Sequence, residues 1–510
     1  MKMTFRTTLV VFALGMLGGV SGWVAAQETG AVAGGSQDAV AVKVDNGAMP
    51  GDSHVRIVRL SDAKGQMGLD RKTGHGFEQT MQNMPIVEGE KLATGDGYAE
   101  VEFEDNSTLR LAPNSQVNFS LLALRSSGAK ASTMSVVKGT VYVNTESTKD
   151  NEFLLEAGDA KMTITPSTHL RLEFDGTSAV LSVFKGSVEV QRGSDRTVVD
   201  KKETLSLGAA EMTVAKKVAE EPYDAWDKES IDYHERYAAT NTYAGSGNAF
   251  GLSDLNYYGS FTNVAGYGSF WQPYFIGSGW SPYGNGLWAL YPGAGYSWVS
   301  PYPWGWLPYH SGGWSFVPGL GWGWQPGGVW NGLNNAGLAS VAGGVLPAGA
   351  TTAGGKPVTS PLRPAVVPQP PAAGAAKMSL VLANDKPIVM SGENRPGNFV
   401  FQKDSAGLGV PRGSLGNLNK ISNDTVRHGS ASMEVYAAGP RGGMEAGDHG
   451  ISRGPATLRP AEATRQSGYD STASQPSTSA ASRSAQAMSS PAATSSSAGS
   501  AASSGSRGPK

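Results

Sequence analysis

The side chains that could do chemistry in this chain are few and far apart. Seven histidines, His54, His75, His169, His234, His310, His428 and His449, are scattered without a His-x-x-x-His pair that could grip zinc. Cysteine is absent from all 510 residues, which excludes a thiolate metal site, a Cys nucleophile, a disulfide framework and a lipidated Cys. The densest acids, Glu100, Glu102 and Glu104, alternate with Val101 and Phe103 at the period of a strand. They are expected to share one solvated face rather than to form an acid/base pair across a substrate. No Gly-x-Ser-x-Gly elbow stands in a strand-turn-helix context, and no Asp-rich loop points to calcium. The expectation is a protein without catalytic residues, metal or cofactor, and not an enzyme.

What the chain has instead is tryptophan. Ten of them lie between Trp271 and Trp330, and Trp271, Trp280, Trp288, Trp298, Trp306, Trp314, Trp322 and Trp330 are separated by steps of 9, 8, 10, 8, 8, 8 and 8. Pro, Gly, Asn and Ser fill the gaps, so the spacing fits short strands joined by tight turns. Pro273, Pro282, Pro292, Pro301, Pro303, Pro308 and Pro318 exclude a continuous helix. Most of these rings must pack on one another to offset the entropy of ordering so much glycine. A small sheet leaves one face uncovered, however, and Trp280, Trp288, Trp298, Trp306, Trp314 and Trp322 are the candidate contact surface, suited to an envelope protein or a cell-wall polysaccharide. His310, inside this stretch, is expected to serve as a turn or stacking residue.

The elements that would position these residues fall into six parts. Residues 1–26 have Lys2 and Arg6 ahead of an apolar stretch and Val24-Ala25-Ala26 at its end, which predicts a secretory signal cleaved before Gln27; the competing reading is a retained anchor. No second apolar run of that length follows, so no membrane span is expected in the mature chain, and the expected location is periplasmic or extracellular. Residues 27–53 read as a disordered linker. Residues 54–215 alternate as antiparallel strands, with Val136 to Val143 recurring 47 residues later as Val183 to Val190, each interrupted by a glycine where a bend is expected. Residues 216–240 read as an amphipathic helix with Tyr223, Trp226, Tyr233 and Tyr237 on one face. The aromatic β repeat takes 249–331, and 332–510 is a low-complexity, mostly disordered tail. Only the island from Asn398 to Leu418 has apolar residues enough to dock.

Two stretches resemble known families. The string GEKLATGDGYAEVEFEDNSTLRLAPNSQVNF, with VVKGTVYVN and VFKGSVEVQ downstream, is similar to the FecR domain, an all-β periplasmic module; Asp105-Asn106-Ser107 stands where the family has Asp-Gly-Ser. In iron-uptake signalling that domain follows a cytoplasmic anti-sigma segment and a membrane span, whereas here a signal peptide is expected in their place. The run from YYGSFTNVAGYGSFWQPYF through WVSPYPWGWLPYHSGGW resembles an uncharacterised Trp, Tyr and Gly-rich repeat domain of secreted proteins, with Gly313 where Arg is common. The resemblances imply a mainly β fold: a FecR-like sandwich or short solenoid, a connecting helix and a small Trp/Gly-rich meander. With a net charge of -2 and 16% charged residues, no field exists to hold nucleic acid. The expected function is a non-enzymatic envelope binding or scaffolding module. The alternatives are an accessory of cell-surface signalling and, far behind, a glycan-active enzyme.

Overall fold

In the computed structural model the described residues are 52–208, 211–238, 251–265, 268–327, 330–335, 363–372, 378–383, 393–395 and 398–434. The expected leader, nearly all of the 27–53 linker and the Ser/Ala-rich end lie outside them. All the described residues fall in one unit, Met1–Ser452; the other, Arg453–Lys510, lies outside the described residues.

Strands dominate from Ile57 to Ala215, and they build two layers that share one long strand. The first layer runs Phe77–Gln79, Met67–Asp70, Lys91–Thr94, Gln116–Leu124, Lys130–Asn144, Glu152–Ala157, Ala160–Ile164, Ser187–Arg192 and Asp195–Asp200. The second runs Pro85–Val87, Ile57–Lys64, Tyr98–Glu102, Thr108–Leu111, again Lys130–Asn144, His169–Phe174, Ala179–Lys185, Glu203–Leu207 and Met212–Ala215. Neighbours are antiparallel except for Glu152–Ala157 alongside Lys130–Asn144. Alternation supplies the core: Leu60, Val101, Leu109, Phe119, Val141, Leu155, Leu172 and Val188 are all fully buried between the layers.

The repeated glycine marks where the chain changes layers. Lys130–Asn144 pairs in the first layer up to Lys138 and in the second from Gly139 onward. Gly139 has φ +95°, and a Cβ there would overlap Ser115. The Ser115 hydroxyl accepts the Thr140 N–H at 2.9 Å and donates to the Thr140 carbonyl at 3.0 Å. Gly186, at φ +78°, repeats the corner in the opposite direction, with Thr168 in the role of Ser115 against Ser187. The bend expected from the sequence repeat is therefore a crossing between layers.

Helix α1 (Asp224–Ala238) lies within the expected 216–240 span. The aromatic segment is not one meander. It opens with helix α2 (Leu252–Tyr258), and three hairpins follow, with the short helix α3 (Leu307–His310) between the second and third. The hairpins Gly259–Val264/Gly268–Pro273 and Gly313–Val317/Gly321–Gln325 join in one sheet, while Leu287–Tyr291/Gly295–Val299 forms another. Within the expected tail, the described segments join the fold. Arg363–Pro364 and Leu380–Leu382 each add an edge strand, and 398–434 forms a hairpin strand, a loop and helix α4 (Leu418–His428). Phe399, Phe401, Leu408, Val410, Leu415 and Leu418 bury themselves among the tryptophans, so this island has a core to join despite its low-complexity flanks.

Two glycines with the same backbone conformation separate the conformational cost from the crowding. Gly176 sits at φ +100° with nothing near its Cβ position, so Gly176→Ala is expected to cost about 1–2 kcal/mol in chemical denaturation. Gly139→Ala adds the overlap with Ser115 and is expected to cost at least about 3 kcal/mol.

Candidate functional site

The outer face of the second layer is where charge collects. Register in the hairpin Tyr98–Glu102/Thr108–Leu111 sets Glu100 opposite Arg110, and Arg59 on the neighbouring strand faces Glu102. Opposite charges across a ladder are favourable in themselves. The expectation of a solvated face is not met: Glu100, Glu102 and Glu104 are all buried. Glu100 and Glu102 are 1% and 0% exposed, because α1, α2 and the segment after Val410 cover them. Glu104 is held by Arg56 through two bonds of 2.9 and 2.8 Å.

The covering elements bring complementary groups to this face. From α1, Asp224 meets Arg171 at 2.6 Å and the Tyr142 hydroxyl at 2.8 Å; Asp227 meets Arg110 at 2.9 Å and His169 at 2.6 Å; Trp226 packs on Tyr98 and Tyr142. His234 places one nitrogen 2.9 Å from Glu100 and the other 3.2 Å from the Ser253 hydroxyl. From α2, Asp254 takes Arg59 at 2.6 Å and the Tyr233 hydroxyl at 2.8 Å. Arg59 also donates to Glu102 at 3.0 Å, to Asn83 at 3.0 Å and to the Pro303 carbonyl at 2.6 Å. Arg412 closes the cluster with bonds to Glu100 at 2.7 Å and to both oxygens of Asp254 at 3.0 and 2.9 Å.

Burial alone would push the Glu100 carboxyl up. His234, Arg110 and Arg412 outweigh it and hold that carboxyl well below the usual range. Asp254 is lowered in the same way, burial being overcome by Arg412 and Arg59. Ser253, His234 and Glu100 are connected as a nucleophile, base and acid would be. Ser253 is 1% exposed and Glu100 is shared with two guanidiniums, so the arrangement joins elements rather than meeting a substrate. Among the described residues no group of His, Asp and Glu is placed to hold a metal ion. Arg59, Asp254 and Arg412 carry no motif that would have singled them out. The pairing of Glu100 with Arg110 was readable from the hairpin register around Asp105-Asn106-Ser107.

The six candidate contact tryptophans are placed differently from the expectation. Trp280, Trp288, Trp298, Trp306 and Trp314 are 4%, 1%, 1%, 0% and 1% exposed, and they are core. Two small sheets fold around the same indoles, so neither inner face is left open. Trp280 lies edge-on to Trp314 at 5.6 Å, and Trp288 edge-on to Trp298 at 5.2 Å. Trp304 stacks flat on Tyr302 at 5.0 Å. The indole N–H groups of Trp271, Trp304, Trp314 and Trp324 donate to the carbonyls of Leu255, Ala406, Pro308 and Ser311. Only Trp322 of the six is half-buried, against Phe316 and under the Arg363 guanidinium. His310 stacks beside Trp306 and Trp330, and burial pulls its imidazole down to about 4.

Two measurements follow from these surroundings. Removing Arg59 leaves Glu102 without a guanidinium and Asp254 with Arg412 as its one cation in a dry setting, so Arg59→Met is expected to cost about 3–5 kcal/mol in chemical denaturation. His310 ionises at its ordinary 6.5 once unfolded but only near 4 when folded, so its contribution is present above pH 6.5 and is lost as pH falls toward 4. Burial raises the Glu90 carboxyl to about 8, which acts in the opposite sense, so the measurement is a difference: from pH 7 to 4 the wild type should lose about 3 kcal/mol more than His310→Asn. Glu100 and Asp254 add a further loss below their ordinary values of 4.5 and 3.8.

Residues 90–189 match the FecR protein family, and residues 252–336 match a family of unknown function, DUF6600. No curated protein matches the chain. Among solved structures, the chain is similar to two crystal structures, each described as an anti-sigma factor candidate from Parabacteroides distasonis ATCC 8503. One match has 14% identity and a TM-score of 0.23 over 27% of this chain and 63% of that one. The other has 13% identity and a TM-score of 0.23 over 34% of this chain and 93% of that one. Among the described residues no helix is long and apolar enough to cross a membrane. The outer strands of the sandwich and the segments after 363 extend beyond both family matches, and within this larger body the chain carries a FecR domain followed by a DUF6600 domain.

Proposed function

We propose that the protein works in the cell envelope as a non-enzymatic binding module of cell-surface signalling, with the FecR sandwich as the partner-facing part. The observation that carries this reading is the FecR domain itself, an envelope-associated family, held rigidly on one face and open on the other. Its second layer is covered by the charged junction. The outer face of its first layer remains solvated, with Lys161, Thr163, Gln191, Arg196 and Val198 exposed. Asp195–Asp200 is an edge strand with only one neighbour, and Val198 is 54% exposed on it. An edge of this kind offers unpaired backbone groups to another chain. The acid and imidazole groups of the junction are occupied by arginines and buried, which supports binding rather than bond-making as the mode of action.

A photo-crosslinking side chain at Val198, compared with one at Trp322, tests the reading in intact cells. The expected adduct forms from position 198 and contains a membrane-embedded signalling protein. Attachment to wall polymer from position 322, with none from position 198, would replace signalling by wall binding.

A further inference from the structure

The loop from Ala406 to Leu418 is held at the junction as a ligand is held. Its Arg412 guanidinium reaches Glu100 and Asp254 and donates to the Ser61 carbonyl at 3.0 Å, while the Tyr233 ring lies 4.9 Å from its centre. Three separate elements supply these groups: the sandwich, α1 and α2. The loop backbone is held independently of its side chains. Tyr258 donates its hydroxyl to the Val410 carbonyl at 2.9 Å, and Tyr257 donates to the Pro411 carbonyl at 3.1 Å while accepting the Leu415 N–H at 3.1 Å. Gly413, at φ +69°, brings its backbone so close to Tyr233 that a Cβ would overlap the ring.

The pocket is built without its occupant. Asp254 is also fixed by Arg59 and Tyr233, and Glu100 by Arg110, His234 and Ser61. With Arg412 withdrawn, Glu100 would keep Arg110 and His234, and Asp254 would keep Arg59, while the place of the guanidinium would become a slot lined by these two carboxylates, the Ser61 carbonyl and the Tyr233 ring. The occupant has local structure of its own, since Asn398–Gln402 pairs with Ser430–Glu434 and α4 packs beside them. We propose that the slot between the sandwich, α1 and α2 is a recognition site for an arginine-bearing peptide loop, filled in cis by Val410 to Leu415 and able to take the same segment in trans. The chain's own segment, seated there in full register, is the evidence for the class of ligand. This inference stands apart from the signalling reading, because it concerns how the slot selects its occupant.

The test uses the full chain with Gly and Ser in place of Val410 to Leu415, checked against the unchanged chain for retained β structure by circular dichroism. A fluorescein-labelled peptide spanning Val410 to Leu415 is then titrated against both proteins. The expected result is saturable binding to the replaced chain, none to the unchanged chain, and binding about 100-fold weaker for the peptide carrying Arg412→Ala, with Arg412→Lys in between. Binding that ignores the arginine, or no binding to the replaced chain, would overturn the proposal.

Discussion

Charge that is covered must be paired, and this requirement governs how the parts of the protein meet. Arg59 is fully buried between Glu102 on its own sheet and Asp254 on α2. An isolated ion in such a place costs several kcal/mol, so an arrangement that left either carboxylate or the guanidinium alone would be strongly disfavoured. Apolar packing tolerates small slides of one element over another; a bidentate or shared guanidinium does not. The network from Arg171 through Arg110, Glu100 and Arg412 to Arg59 therefore fixes one placement of α1, α2 and the 406–418 loop on the sandwich.

Around that network the apolar terms are conventional in kind and divided in place. One cluster lies between the two layers of the sandwich and another gathers the indoles of the DUF6600 domain. Ile57, on a strand of the sandwich, belongs to the aromatic cluster, while Leu287, Ala289 and Tyr291 of the aromatic segment belong to the cluster of the sandwich. The two domains thus exchange residues across their border. Asn83 tightens the same border by donating to the Ser300 and Tyr302 carbonyls at 3.0 and 2.6 Å. Motion of one domain against the other would have to break both the exchanged packing and the ion pairs.

Local pattern carried much of this into the sequence, and long-range cover did not. Period-2 alternation around Val101 and Phe103 told which side chains share a face, and the glycines at 139 and 186 told where strands bend. Nothing local to Glu100 could reveal that Arg412, more than three hundred residues away, would sit on it. For the same reason a face read as solvated is a buried polar one. The tryptophans show the converse. Their spacing marked strands and turns, but exposure depends on whether one sheet or two surround a ring, and the second sheet is completed by Leu380–Leu382 from a stretch that composition alone marks as tail. Prolines there do not prevent order, because an edge strand needs hydrogen bonds on one side only.

The central claim is that sandwich and aromatic domain form one cooperative body through the buried charges. Every tryptophan except Trp23 lies at or beyond Trp226, so indole emission reports the aromatic domain and the helix beside it, while far-ultraviolet circular dichroism reports the strands throughout. Equilibrium unfolding followed by both signals on the same samples is the direct measurement. The account predicts a single transition with coincident midpoints; an emission change complete before the strands are lost, or well after, would contradict it.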